Sequence, residues 1–205
     1  MSQSNAIVVI IDDDKDLESS KRGFFIELRM EFKEVRVFDT PSEGVEFIQN
    51  NLQERILVLL DIGFPANLPN GHVIMDSIRS FSFLIPVIIW SGVDQTAEPF
   101  ADFINNKTFA FLSKAASNED IVNKLKEAYK FADHDVSVAL EDWIATHSEE
   151  ERAKPYMLSV DGKELSLNDI LKEIRLQTDT GKQFSKKLTK LTIDLLIRKK
   201  ESLND

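Results

Sequence analysis

The 205-residue sequence contains no cysteine. That absence excludes disulfides, thiolate metal sites and cysteine nucleophiles, and it fits a reducing compartment. Long apolar runs are missing too. The longest extend for about six residues, far short of the ~20 needed to cross a bilayer. The opening stretch, MSQSNAIVVIIDDD, has no basic region before its apolar run and leads straight into acid, so no secretory signal is expected. There is no excess of positive charge. Asp and Glu number 35 against 25 Lys and Arg, a formal net charge of −10. Such a chain is a poor non-specific ligand for phosphate backbones and for anionic lipid. Internal repeats and low-complexity tracts are absent as well. These exclusions predict a cytoplasmic protein with no membrane contact.

What remains is an alternation. The stretches 7–11, 56–60 and 87–90 are continuously apolar and rich in β-branched residues. Such runs suit strands of a parallel sheet buried on both faces. Two weaker runs, 34–38 and 108–112, carry polar or uneven faces and suit sheet edges. Between them lie amphipathic stretches at 15–30, 71–81 and 96–105, one after Thr40 that carries Val45, Phe47 and Ile48, and one after Ser117 that carries Ile121, Val122, Leu125 and Ala128. Thr40, Pro41 and Glu43 read as an N-cap, a first-turn proline and a capping-box acid. Ser117 reads as the cap of the last stretch. The order βαβαβαβαβα implies α/β architecture, a parallel sheet with helices on both faces and right-handed crossovers. Placing the three apolar strands inside predicts a five-stranded sheet in the flavodoxin-like order 2-1-3-4-5.

The pattern changes near residue 132. We expect one domain over 1–132 and a small, mainly helical C-terminal extension over 133–205. In the extension, 133–147 has a helical stripe, while 148–154 (SEEERAK) reads as a charged linker. A short strand over 156–160 turns at Asp161-Gly162. Two helices, 166–176 and 182–200, are expected to break at Asp179-Thr180-Gly181.

In open α/β sheets, ligands bind beyond the carboxyl ends of the strands. Asp12-Asp13-Asp14 follow the first strand and Asp61 the third. Ser91-Gly92 follow the fourth, and Ser113-Lys114 the fifth. The predicted strand order converges these groups on one crevice. Clustered carboxylates repel one another without a cation, and oxygen ligands suit Mg²⁺. A lysine offers a point charge to a phosphoryl oxygen, and a serine hydroxyl offers a donor. An aspartate can itself be the nucleophile, forming an aspartyl phosphate. Taken singly, each residue has a plainer reading: a helix-start acid cluster, a turn, a solvated lysine. His72, His134 and His147 have no metal spacing and are expected on the surface or in loops.

Over about residues 5–131, the sequence resembles the receiver domain of bacterial response regulators. The resemblance is carried by the acidic pair in IVVIIDDD, the aspartate in ILVLLDIGFP, the hydroxyl in PVIIWSG and the lysine in FAFLSKA. It implies that Asp61 accepts a phosphoryl group from a histidine kinase or phosphotransfer protein. Asp13 would bind Mg²⁺ directly, Asp12 partly through water, and the backbone carbonyl of Gly63 would complete the metal site. Ser91 and Lys114 would contact the phosphoryl group, and Phe111 would share the switch role with Ser91. Pro65 matches a loop-shaping proline. The resemblance implies a phosphoacceptor that catalyses its own phosphorylation and dephosphorylation rather than a conventional enzyme. Three features depart from the pattern. Ala115 replaces a proline after Lys114, so a cis bond there is not expected. The 61–71 loop is slightly long, and Phe111 lacks a tyrosine hydroxyl. A haloacid-dehalogenase-type phosphatase would need a general acid at the position of Gly63.

The extension's output is open. Over 182–200, seven basic residues face one acid, Asp194, while 133–205 as a whole nets −3. Phe184, Leu188, Leu191 and Leu195 share a face and predict a helical hairpin with Ile170, Leu171 and Ile174. Such a hairpin would bind a downstream protein, self-associate, or pack on the receiver as an intramolecular regulator. A DNA-binding reading of the basic helix lacks a convincing tri-helical core, so nucleic acid is not the expected partner. A phosphate-independent interaction module is the remaining alternative.

Overall fold

A computed structural model describes residues 3–92, 108–133, 135–159 and 162–201. The chain divides into two compact units, Met1–Asp133 and His134–Asp205.

The first unit is built on strands β1 (Ser4–Ile11), β2 (Phe32–Phe38), β3 (Ile56–Leu60), β4 (Val87–Ser91) and β5 (Ala110–Ser113). They form one sheet in the order β2-β1-β3-β4-β5, with every neighbouring pair parallel. The predicted order is therefore the observed one. Its cause is burial. Every residue of β3 and β4 is buried, whereas β2 and β5 keep polar or half-exposed positions along their length. Side-chain alternation then sorts the core into two layers. Val8, Ile10, Leu57, Leu59, Ile88 and Trp90 face α1 (Leu17–Ser20), α2 (Arg22–Glu31) and α5 (Asn118–Asp133). Val9, Ile11, Val58, Leu60, Val87 and Ile89 face α3 (Pro41–Asn50) and α4 (Gly71–Arg79).

Several local expectations change. The helix predicted over 15–30 is broken at Lys21 (φ −112°, ψ 34°). The hydroxyls of Ser19 and Ser20 bond back to the carbonyls of Asp16 and Leu17, at 2.9 and 3.1 Å. Such side-chain bonds compete with the helical ladder. Thr40 is the N-cap of α3 but makes no side-chain cap bond; its hydroxyl donates to Asp39 at 3.3 Å instead. Ser117 does cap α5, accepting from the Asp120 N–H at 3.1 Å. The helix predicted over 96–105 lies outside the described residues.

The second unit contains α6 (Val136–Ala145), α7 (Glu149–Ala153), the antiparallel pair β6 (Pro155–Leu158) and β7 (Glu164–Ser166), α8 (Leu167–Arg175) and α9 (Asp179–Glu201). Its core gathers Val138, Leu140 and Ile144 of α6, Leu165 of β7, and Leu167, Ile170, Leu171 and Ile174 of α8. Arg175 on α8 pairs with Glu141 on α6 at 2.5 Å. The charged stretch 148–154 is not a bare linker. Ser148 and Glu151 close a capping box that nucleates α7. The break between the last two helices also falls earlier than expected, at Gln177, whose φ is +51°. Gly181 instead lies in the first turn of α9, pressed against the backbone of α8.

Candidate phosphoacceptor site

Asp12 and Asp61 each sit one residue beyond a central strand. Their backbones remain tied to the sheet: the Asp12 N–H donates to Phe38 O at 3.0 Å and the Asp61 N–H to Ile11 O at 2.9 Å. These bonds bring the two side chains together although 49 positions separate them in sequence. Asp12 is fully buried and Asp61 nearly so. Asp13 is partly exposed, and one carboxylate oxygen from each of Asp12, Asp13 and Asp61 lies within 4.8 Å of the others.

Lys114 follows β5, its N–H bonded to Ser91 O at 3.0 Å. Its ammonium reaches across the strand ends. Nζ donates to Asp61 Oδ2 at 2.6 Å and lies 2.8 Å from Asp12 Oδ2. The second contact is ionic only, because Asp12 Oδ2 is a buried oxygen that accepts no hydrogen bond. The other oxygen, Oδ1, accepts from the Asp14 N–H at 3.1 Å. Burial raises the Asp12 carboxyl above its ordinary range, outweighing the lowering by Lys114 and the Asp14 amide. For Lys114, burial pulls downward, but its close contacts with Asp12 and Asp61 and their charges win and hold the ammonium above its usual value.

Asp61 is held by more than the lysine. Its Oδ1 accepts from the Ile62 N–H at 2.7 Å and from the Gly63 N–H at 3.1 Å. The carboxylate is thus fixed in rotation, with one oxygen on two amides and the other on an ammonium. Ser91, at the end of the adjacent β4, is buried. Phe111 is partly buried against the layer that contains Ile89. Pro65 is exposed in the loop after Asp61, its carbonyl accepting from the Leu68 N–H at 2.9 Å. No cis peptide occurs among the described residues, so the Lys114–Ala115 bond is trans.

The donor set fits a hard divalent cation. It supplies three carboxylates within reach of one centre, and one buried oxygen lacks a hydrogen bond.

Two features escape a reading of the sequence. Gly71, at the start of α4, allows Ile62 to pack so closely that a Cβ there would sit 2.5 Å from Ile62 Cγ2 and 2.7 Å from Ile62 Cα. This contact props the residue whose N–H holds Asp61. Lys21, at the break between α1 and α2, lies with its Nζ 5.4 Å from the centre of the Trp90 ring, and Lys114 Nζ lies 5.7 Å from the same ring. Trp90 therefore contacts two ammonium groups beside the site, a role that its apolar strand does not signal.

Comparison with known protein families and with curated proteins finds no match. Solved structures do match. The chain is similar to a CheY-like response regulator receiver domain protein from Methanospirillum hungatei (24% identity, TM-score 0.54), covering 63% of this chain and 98% of that one. It is similar to a response regulator receiver domain protein from Clostridium thermocellum (20%, TM-score 0.53, 61% and 94% covered). A third likeness is to the CheX–CheY–BeF3–Mg complex from Borrelia burgdorferi (19%, TM-score 0.51, 60% and 88% covered). The parallel 2-1-3-4-5 sheet of this chain thus has the fold of response regulator receiver domains, and the C-terminal extension is unassigned.

Proposed function

We propose that the chain is a cytoplasmic two-component response regulator. In this reading a receiver over 1–132 is phosphorylated on Asp61, and the extension over 133–205 carries the output. The observation that supports it best is the position of Lys114, bonded to Asp61 at 2.6 Å and 2.8 Å from Asp12 at the carboxyl end of a receiver-type sheet. A phosphohistidine on a kinase or phosphotransfer protein is the donor class.

One carboxylate oxygen of Asp61 attacks phosphorus, an O–P bond forms, the P–N bond breaks, and the imidazole nitrogen leaves with the bonding pair. Asp12, Asp13, Asp61 and the Gly63 carbonyl would hold Mg²⁺, which when bound supplies positive charge against the phosphoryl oxygens. Lys114 gives up its tight bond to Asp61 and pairs with the incoming phosphoryl oxygens. Ser91 moves toward the phosphoryl group as a hydrogen-bond donor, and Phe111 follows into the space beside it. A local change of charge thus biases a two-state element. The same site hydrolyses its own acyl phosphate, so phosphorylation and dephosphorylation are both self-catalysed.

The test is intact mass after incubation with acetyl phosphate and Mg²⁺. A gain of one phosphoryl group is expected in the native chain and not in Asp61→Ala. A gain that persists in Asp61→Ala removes the acceptor assignment.

A further inference from the structure

The second unit contains a groove that the receiver chemistry does not use. Met157, Leu158 and Ser159 form one wall, and Thr180, Gln183, Phe184 and Lys187 of α9 form the other, around about 380 Å³. The groove does not end there. Phe184 begins a stripe at spacings of four, three and four that continues through Leu188 to Leu191 and Leu195. Gly181 and Ser185 bury the first turns of α9, but every residue from Lys190 to Leu195 is exposed. Leu158, Leu191 and Leu195 are each more than half exposed. Apolar side chains exposed in a row, beside a concave wall, mark an interaction surface.

Charge selects the occupant. Lys182, Lys186, Lys187 and Lys190 lie along this half of α9, and none of them has an ion-pair partner among the described residues. We infer that the groove and the stripe above it dock an acidic amphipathic helix from a partner protein. The 4-3-4 spacing is the seam that a second helix reads, and the unpaired lysines supply its electrostatic complement. A second α9 would bring like charges together, since 182–200 carries +6. A lipid surface would use the flat stripe but not the walled cavity beneath it. The inference deepens the proposed output role of the extension and rests on that reading for its biological sense, but not for its chemistry.

The test uses the full chain and labelled peptides of about 18 residues, five helical turns. One has leucines at helical spacing flanked by glutamates, a second replaces the glutamates with lysines, and a third scrambles the first. Fluorescence anisotropy should show the acidic peptide binding at least tenfold tighter than either control at about 50 mM salt, and more weakly as salt screens the lysines. Leu191→Glu and Lys187→Glu should each weaken it at least tenfold with unchanged melting. Equal binding of the scrambled peptide overturns the inference, as does undiminished binding by Leu191→Glu. Tighter binding to anionic vesicles than to the acidic peptide, or a native dimer that Leu191→Glu dissociates, also overturns it. Asp61→Ala should bind the peptide as the native chain does. Failure of phosphorylation and failure of docking are therefore read separately.

Discussion

Gly71→Ala is the substitution through which packing, loop position and chemistry can be tested together. The added methyl would lie 2.7 Å from Ile62 Cα, where ordinary contact begins near 3.4 Å. Ile62 must therefore retreat by about 0.7 Å, and the obstacle is backbone rather than the tip of a flexible side chain. Two effects oppose each other. Alanine is the better helix former by up to ~1 kcal/mol in a helix interior, and less at the first helical position. Overpacking a filled site costs ~1–3 kcal/mol. Overpacking wins, for a net loss of about 1–2 kcal/mol and a melting temperature lower by about 3–10 °C in a unit of this size. The shift also moves the N–H that donates to Asp61 Oδ1 at 2.7 Å. Misplacement by ~1 Å can cost about a hundredfold in rate, so phosphorylation from acetyl phosphate should slow by about tenfold or more. Gly23→Ala is the control, because nothing lies within 4 Å of a Cβ there. It should leave the phosphorylation rate alone and be neutral or stabilising by up to ~1 kcal/mol. If Gly71→Ala melts and reacts like Gly23→Ala, the close contact with Ile62 does not position Asp61.

Millimolar Mg²⁺ should raise the melting temperature of the native chain by relieving repulsion among Asp12, Asp13 and Asp61. Asp12→Asn should melt higher than the native chain in metal-free buffer and respond less to Mg²⁺; an undiminished response removes Asp12 from the metal set. In the second unit, Gly181→Ala would place a methyl 2.2 Å from Glu173 O and 2.5 Å from Glu173 C. Separating α8 from α9 should cost about 3 kcal/mol, and unchanged denaturant unfolding would refute that contact. The Ser166 hydroxyl, followed by the Ser166 N–H, holds the Asp169 carboxyl below its ordinary 3.8. A depressed carboxyl stabilises the fold above its unfolded value and loses that contribution as pH falls through the folded value. The α8 cap should therefore loosen only below about pH 4, visible as faster exchange of the Asp169 amide, and Ser166→Ala should lose about 1 kcal/mol at neutral pH.

How much of this was legible beforehand depended on range. The unbroken β-branched runs at 7–11, 56–60 and 87–90 called for strands buried on both faces, and the weak runs at 34–38 and 108–112 called for edges. Those demands already imply the sheet order. Capping geometry was less legible, because a serine followed by glutamate reads equally well as linker or box. Ser148 reads as linker for that reason, whereas Thr40 takes the expected N-cap position ahead of Pro41 but turns its hydroxyl to Asp39. Whether a hydroxyl turns to an amide or to a neighbouring acid is decided by its surroundings.

By itself, the sequence determined the alternation of strands and helices, the inner and outer strands, and the residue types at the strand ends. These follow from periodicity and burial, which are local properties of a chain in water. Tertiary structure alone decided that Lys114 reaches both Asp12 and Asp61, since three separate strands must pair in register before one ammonium can span two carboxylates. It also decided that Gly71 props Ile62, that Gly181 is a contact with α8 rather than a break, and that α9 leaves an apolar stripe beside its lysines. Each of these is a distance between segments remote in sequence, and no pattern along one segment encodes it.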